Sequence, residues 1–257
     1  AYKQASASSK AVIATVSGTD ITFGTPVQLD SSTAGVEDIG LEYDTLNNKV
    51  IAAYRESSSP YDCKVVVGTV SSNSISFGSE ATFNAGAASY PANPVFDTNS
   101  GKVVIAYRDG GNSSYGKTVL GTVSGTSITF GSPVTWHSGT TYNATSVYHA
   151  DAKKVVTFFT NGSSGARGDV VVGSVSGSSI TYTSGFAISP DDTNIQTILA
   201  YDSTNKIVLA NYVSEDDYHG EAVVYQPAYT STNITSENFI GIASNGYATG
   251  QAATINA

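Results

Sequence analysis

Residues 118–130 read TVLGTVSGTSITF, and three other stretches read almost the same: AVIATVSGTDITF (11–23), VVVGTVSSNSISF (65–77) and VVVGSVSGSSITY (170–182). Their equivalent valines, Val16, Val70, Val123 and Val175, lie 54, 53 and 52 residues apart. Within each copy, Ile and an aromatic alternate with polar residues, as in Ile128/Phe130 and Ile180/Tyr182. A period of two puts those side chains on one face of a strand. The Ser-Gly-Thr or Ser-Gly-Ser between the halves supplies a Gly able to take the positive φ of a tight hairpin turn.

A second motif repeats between these copies: NKVIAAY (48–54), GKVVIAY (101–107), KKVVTFF (153–159) and NKIVLAN (205–211). Its lysines are Lys49, Lys102, Lys154 and Lys206, again about one period apart. It is preceded by a run ending in an aromatic and a turn residue, as in GLEYD (40–44), NPVFD (93–97) and TILAYD (197–202). Each period therefore holds four strand-like segments, A to D. A runs into the Asp turn, B is the Lys-Val run, C is the VVVGTV run and D is the ITF run. No helical periodicity interrupts them, and the β-branched and aromatic content fits strands.

Four antiparallel strands in a period of about 53 residues is close to the size of a propeller blade. The expected fold is all-β: a β-propeller of four-stranded blades forming a single domain over 1–257, with blades near 1–34, 35–86, 87–140, 141–190 and 191–244. A β-solenoid or a string of small domains is the structural alternative. Ala1-Tyr2-Lys3 matches the end of segment B in Ala53-Tyr54-Arg55 and Ala106-Tyr107-Arg108. The chain thus enters inside a blade. Residues 245–257 are a closing tail or linker, able to complete the first of five blades and remove an exposed sheet edge.

Composition bounds the chemistry. The net charge is −9 and only 13% of residues are charged. An acidic chain without basic clusters is repelled by phosphate backbones, so no nucleic-acid partner is expected. No apolar run is long enough to insert in a membrane as a helix. Cys63 is the one cysteine, too few for an internal disulfide and without a base placed beside it. His137, His149 and His219 show no metal-ligand spacing. The 97–101 loop, with Asp97 and Asn99, and the acidic run at 215–217 carry too few oxygens at the right spacing for calcium, and read as turns. No metal and no cofactor are expected.

The units VVGTVSGTSITFGSPV and YD..NKVVIAYRD, most complete at 121–134 and 96–109, resemble repeat regions of bacteriophage tail-fibre and other virion surface proteins, as do SENFIGIAS (236–244) and GQAATINA (250–257). The resemblance spans most of the chain. It implies an extracellular or virion surface location, a role in host attachment or particle architecture, and no catalytic residues.

In an up-and-down blade the short A–B and C–D turns lie at one edge, and the longer, variable B–C loops and D–A crossovers at the other. The variable edge is the candidate for recognition. Its candidate ligand-binding residues are Tyr61, Tyr90, Arg108, Tyr115, Trp136, His137, Tyr142, Tyr218 and His219. Aromatic rings beside Ser, Asn and Asp suit sugars, the ring covering a C–H face while polar groups take hydroxyls. The competing reading is that these rings pack between blades. Arg55 and Arg108 end equivalent B strands beside Glu56 and Asp109, as a repeated polar pocket or as local ion pairs. The partner is then a host-surface glycan or other virion proteins, with a homo-oligomer possible. The alternatives are an architectural spacer or filament subunit, and a propeller glycosidase. The last needs facing carboxylates from different blades, whereas Glu37, Asp38 and Glu42 all fall on one A segment.

Overall fold

The computed structural model describes residues 1–3, 9–31, 35–86, 89–91, 93–192, 198–213, 220–227 and 238–242. Among them there is no α-helix. The chain forms successive small antiparallel sheets, one per repeat. The second sheet runs A (Val36–Asp44), B (Lys49–Glu56), C (Cys63–Ser71), with Ser74–Phe77 and Ala81–Asn84 both pairing on C. The third runs A in two pieces (Tyr90–Pro91, Val95–Asp97), B (Lys102–Asp109), C (Tyr115–Ser124), then Ser127–Phe130 and Val134–His137 on C. The fourth comprises Thr141–His149, Lys154–Asn161 and Arg167–Ser176, with Ser179–Tyr182 and Phe186–Asp192 on its C strand. The fifth comprises Ile198–Asp202, Ile207–Val213, Gly220–Gln226 and Asn238–Ile242.

Segment D is thus two short strands rather than the single ITF run. After the aromatic the chain kinks, at Gly24, Gly78 and Gly131 in the first three repeats and at Thr183 in the fourth, and returns to the same edge of C. The glycine is required where the next sheet comes close. A Cβ on Gly24 or Gly78 would run into the carbonyl of Asn73 or Thr126, each in the C–D turn of the following sheet.

The first sheet holds Tyr2–Lys3, Ser9–Ala11 and Val27–Gln28, with a hairpin of Ala14–Ser17 and Asp20–Phe23 beyond it. Tyr2 pairs with Lys10 and Lys3 with Ser9, as Tyr54 pairs with Lys64 and Arg55 with Cys63. Ala1-Tyr2-Lys3 therefore occupies the end of a B strand, as its sequence suggests.

Strand alternation gives each central sheet two buried faces. In the second sheet, Ala52, Tyr54 and Val66 pack with Leu29 of the first sheet. Ile51, Ala53, Cys63, Val65 and Val67 pack the other way, against Val103, Ile105, Tyr107 and Val119 of the third. Val104 and Leu120 then meet Val155 and Ile180 of the fourth. Val156, Phe158, Val170 and Val172 meet Val208, Ala210, Tyr212 and Tyr225 of the fifth. Each fully buried aliphatic side chain contributes about 1.5–3 kcal/mol, so the sheets hold one another in sequence order. No apolar cluster among the described residues joins the first sheet to the fifth.

The end faces show what the stack lacks. Ile75, Ile128 and Ile180, which point to the preceding sheet, are 4%, 5% and 3% exposed, whereas Ile21 is 58% and its neighbour Phe23 is 70%. At the other end Ile198, Leu209 and Val213 of the fifth sheet are exposed. Leu209 holds the place of Ile51, which the third sheet covers.

The A–B turns follow one rule. One carboxylate oxygen of Asp44, Asp97 and Asp202 accepts two backbone N–H groups of its own turn, from Leu46 and Asn47, Asn99 and Ser100, and Thr204 and Asn205. At the fourth turn His149 Nδ1 accepts from the Ala152 amide. This register corrects the alignment by lysine. Asp44 pairs with Lys49, Asp97 with Lys102 and His149 with Lys154, but Asp202 pairs with Ile207. Lys49, Lys102 and Lys154 each donate to a hydroxyl on the C strand, of Thr69, Thr122 and Ser174. Lys206 instead sits in the turn at φ 58° and pairs with Asp151 at 3.1 Å.

Candidate functional site

Where the B strands end and the A strands begin, three sheets bring guanidinium and phenol groups into a row. Arg55 ends the second sheet's B strand, Tyr90 opens the third sheet's A strand, Arg108 ends its B strand and Tyr142 lies at the start of the fourth sheet's A strand. The Arg55 guanidinium carbon lies 4.7 Å from the centre of the Tyr90 ring. Arg108 lies 5.1 Å from Tyr90 and 5.0 Å from Tyr142. The ring quadrupole attracts a cation at these distances, by about 0.5–1 kcal/mol where exposed and more where desolvated. Tyr90 and Tyr142 remain 43% and 39% exposed.

The row follows from the repeat. Glu37 pairs with Arg55, Tyr90 with Arg108 and Tyr142 with Thr160, so these are equivalent cross-strand positions. In the second sheet both neighbours of Arg55 are carboxylates: Nη2 donates to Glu37 Oε2 at 2.7 Å and Nε to Asp38 Oδ2 at 3.0 Å. Asp38 reaches it from a bulge, with φ at 53°. Burial alone would lower the Arg55 pKa, but the hydrogen bond and charge of Asp38, with the charge of Glu37, outweigh it, and the pKa is raised. Arg108 has neither carboxylate; its Nη2 donates to Ser114 Oγ at 2.9 Å.

The pairing of each arginine with its neighbouring acid is overturned. Adjacent strand residues face opposite ways. Glu56 binds Lys64 at 2.6 Å and Asp109 binds Lys117 at 2.8 Å, both across to the C strand. Burial by itself would raise the Asp109 carboxyl. Hydrogen bonds from Lys117, Asn84 and the Gly111 amide, with the Lys117 charge, outweigh it and hold the group below the ordinary aspartate range.

The sequence candidates thus divide. Tyr90, Arg108 and Tyr142 meet in the row. Trp136 and His137 lie in the second half of the third sheet's D strand and pack inward. The indole covers Gly116, where a Cβ would strike it, and sits 4.8 Å edge-on from Phe159. His137 lies 4.9 Å from the same ring, its Nδ1 sharing a hydrogen bond with Thr141. Tyr61 is exposed in the second sheet's B–C loop, and Tyr115 opens the third sheet's C strand opposite Asp109. Tyr218 and His219 lie outside the described residues, as do 245–257. Arg55, Glu37, Asp38 and Ser114 belong to the same edge; the repeated Tyr-Arg at 54–55 and 107–108 marks Arg55 in the sequence, and no local pattern marks the other three.

The ring faces also differ from expectation. Both guanidinium carbons lie within 5.1 Å of the Tyr90 ring centre, and Tyr142 has Arg108 at 5.0 Å and lies against Gly162, where a Cβ would strike its ring atoms. What this edge offers a ligand is the terminal N–H groups of Arg108 and two partly exposed tyrosines, since Arg55 is buried and engaged by Glu37 and Asp38.

Elsewhere, Cys63 is buried and its thiol is pushed up to about 12, chiefly by that burial, with the Arg55 charge pulling it down and the charges of Asp38, Asp62 and Asp109 pushing it up. That favours the unreactive thiol form at neutral pH. Among the described residues no three His, Cys, Asp or Glu side chains group as metal ligands. No protein-family model and no curated protein matches the chain by sequence.

Proposed function

We propose that this chain is a non-catalytic surface module, of the kind carried by phage tail fibres and virion surfaces, that recognises a host-surface glycan at its B–C and D–A edge. The Arg55–Tyr90–Arg108–Tyr142 row carries the reading. It gathers hydrogen-bonding cations and partly exposed phenols from three sheets at the edge where the loops vary. Such sites bind weakly one at a time, and a particle displaying many copies gains avidity without new contacts. The engagement of Glu37 and Asp38 by Arg55 and the burial of Cys63 favour binding over catalysis. The test is a glycan screen of the multivalently displayed protein, repeated with Tyr90→Ala/Tyr142→Ala. Binding that needs the two tyrosines supports the edge; unchanged binding by a folded variant refutes it.

The fold reading that goes with this is a five-bladed propeller. Its support is that the trailing face of every sheet through the fourth packs on the leading face of the next. Ile198, Leu209 and Val213 at one end and Val16, Ile21 and Phe23 at the other are the matching unpaired faces. Closing them on each other within one chain, with the tail supplying a strand to the first blade, would complete the ring. Joining them between chains instead makes the architectural filament the second reading. Sedimentation across a wide concentration range separates the two: a monomer at every concentration fits the ring, and open-ended growth fits the filament.

A further inference from the structure

Resting on the glycan reading, we infer that the ligand is an acidic sugar whose carboxylate pairs with the guanidinium edge of Arg108. The repeat provides the comparison. At Arg55 the protein supplies its own carboxylates, from Glu37 and Asp38. One repeat on, Tyr90 stands where Glu37 stands, and no carboxylate among the described residues reaches Arg108. The chain's other two arginines are both held by acids, Arg55 as above and Arg167 by Asp169 at 2.8 Å. Among the described residues, Arg108 is the arginine left without a counter-ion.

Its surroundings hold it ready. A guanidinium stacks through its flat faces and donates through its edge. The Arg108 guanidinium carbon lies 5.1 Å and 5.0 Å from the centres of the Tyr90 and Tyr142 rings, and Ser114 takes one N–H at 2.9 Å. The Thr141 amide donates to the Ser114 carbonyl, which ties the third sheet's B–C loop to the start of the next A strand. In-plane guanidinium donors matched to a carboxylate form charge-assisted hydrogen bonds, which are stronger than neutral ones. A sugar acid carries the carboxylate that Glu37 and Asp38 supply to Arg55 and that no described residue supplies to Arg108, whereas a neutral sugar carries none. The net charge of −9 opposes this at long range, but screening at physiological salt confines that repulsion to about 8 Å.

The experiment is a binding series with the multivalently displayed protein on matched glycans: a sugar acid, its methyl ester and its neutral parent. Wild type is expected to bind the free acid about 10- to 100-fold more tightly than the ester, the loss of one or two charge-assisted hydrogen bonds. Arg108→Gln is expected to abolish that preference, with its thermal melt checking that it folds. The ester comparison needs no variant, so it decides the matter even if Arg108→Gln does not fold. Equal binding of acid, ester and neutral parent overturns the carboxylate assignment and leaves the glycan reading standing. No binding to any of the three classes on a full screen overturns both.

Discussion

Replacing Gly121 by alanine tests how the C–D hairpins are packed. A Cβ there would lie 2.5 Å from Ile128 Cδ1, 3.1 Å from its Cγ1 and 3.2 Å from Phe130 Cε1. Carbon atoms rest at about 3.5–4.0 Å, so the Ile128 methyl must move by about 1 Å in a side chain packed against the second sheet. Overpacking of this kind costs about 1–3 kcal/mol, offset by about 0.4–1 kcal/mol from the smaller freedom of alanine in the unfolded chain. A net loss of about 0.5–2 kcal/mol is expected. Ile128→Val removes the clashing methyl and by itself costs about 0.5–1.5 kcal/mol. The double variant should therefore be more stable than the sum of the two changes by about 1 kcal/mol, read from urea midpoints at constant slope. The first hairpin is the natural control. Ala14 occupies the glycine position there, and its Ile21 is exposed. Strict additivity, or a stabilised Gly121→Ala, would refute the packing argument.

Other outcomes follow from the same structure. Ile128→Ala should cost about 2–5 kcal/mol; Ile21→Ala should cost a similar amount if the end faces meet within the chain and close to nothing if they stay open, as denaturation of the two variants will show. Asp97→Ala strips the acceptor of two turn amides and should cost about 1–3 kcal/mol. Because the folded Asp109 pKa is depressed, its contribution is fully present above the ordinary aspartate pKa of about 3.9 and is lost as pH falls through the folded value. Lys117→Met should flatten that acid limb in stability measured from pH 7 downward. Cys63 should resist a thiol reagent at pH 8 in the folded protein and react once denaturant unfolds it, whereas fast labelling of the native state would contradict its burial.

Much of the fold is legible in the sequence because period-two alternation and turn chemistry are local. The C–D hairpin, the Asp turns and the B-strand ending at Tyr2-Lys3 are each written in a few adjacent residues. The break in segment D is harder to see. Gly78 looks like a turn residue, and its reason lies in the following sheet, 48 residues on at Thr126. The last B strand misleads for a specific reason: Lys206 invites alignment with the other lysines, while the spacing from Asp202 places Ile207 there. The turn is the firmer anchor, since its hydrogen bonds fix the register that follows. At the edge site, the sequence marks Tyr90, Arg108 and Tyr142 but cannot tell an aromatic that covers a glycine from one that faces outward. Trp136 is the first kind because Gly116 lies beneath its ring, a pairing across strands. The partners of Arg55 lie 17 and 18 residues earlier, on the A strand, so adjacency with Glu56 pointed the wrong way.

The most direct measurement is a map of where a sugar touches the protein. Amide and arginine side-chain NMR shifts, followed as the best-binding glycan of the screen is titrated in, locate the contact without any substitution. The account predicts that the largest shifts fall at Arg108, Tyr90, Tyr142 and Ser114, with little change at the A–B turns of Asp44, Asp97 and Asp202. Shifts centred on those turns, or on the end faces at Phe23 and Leu209, would contradict it.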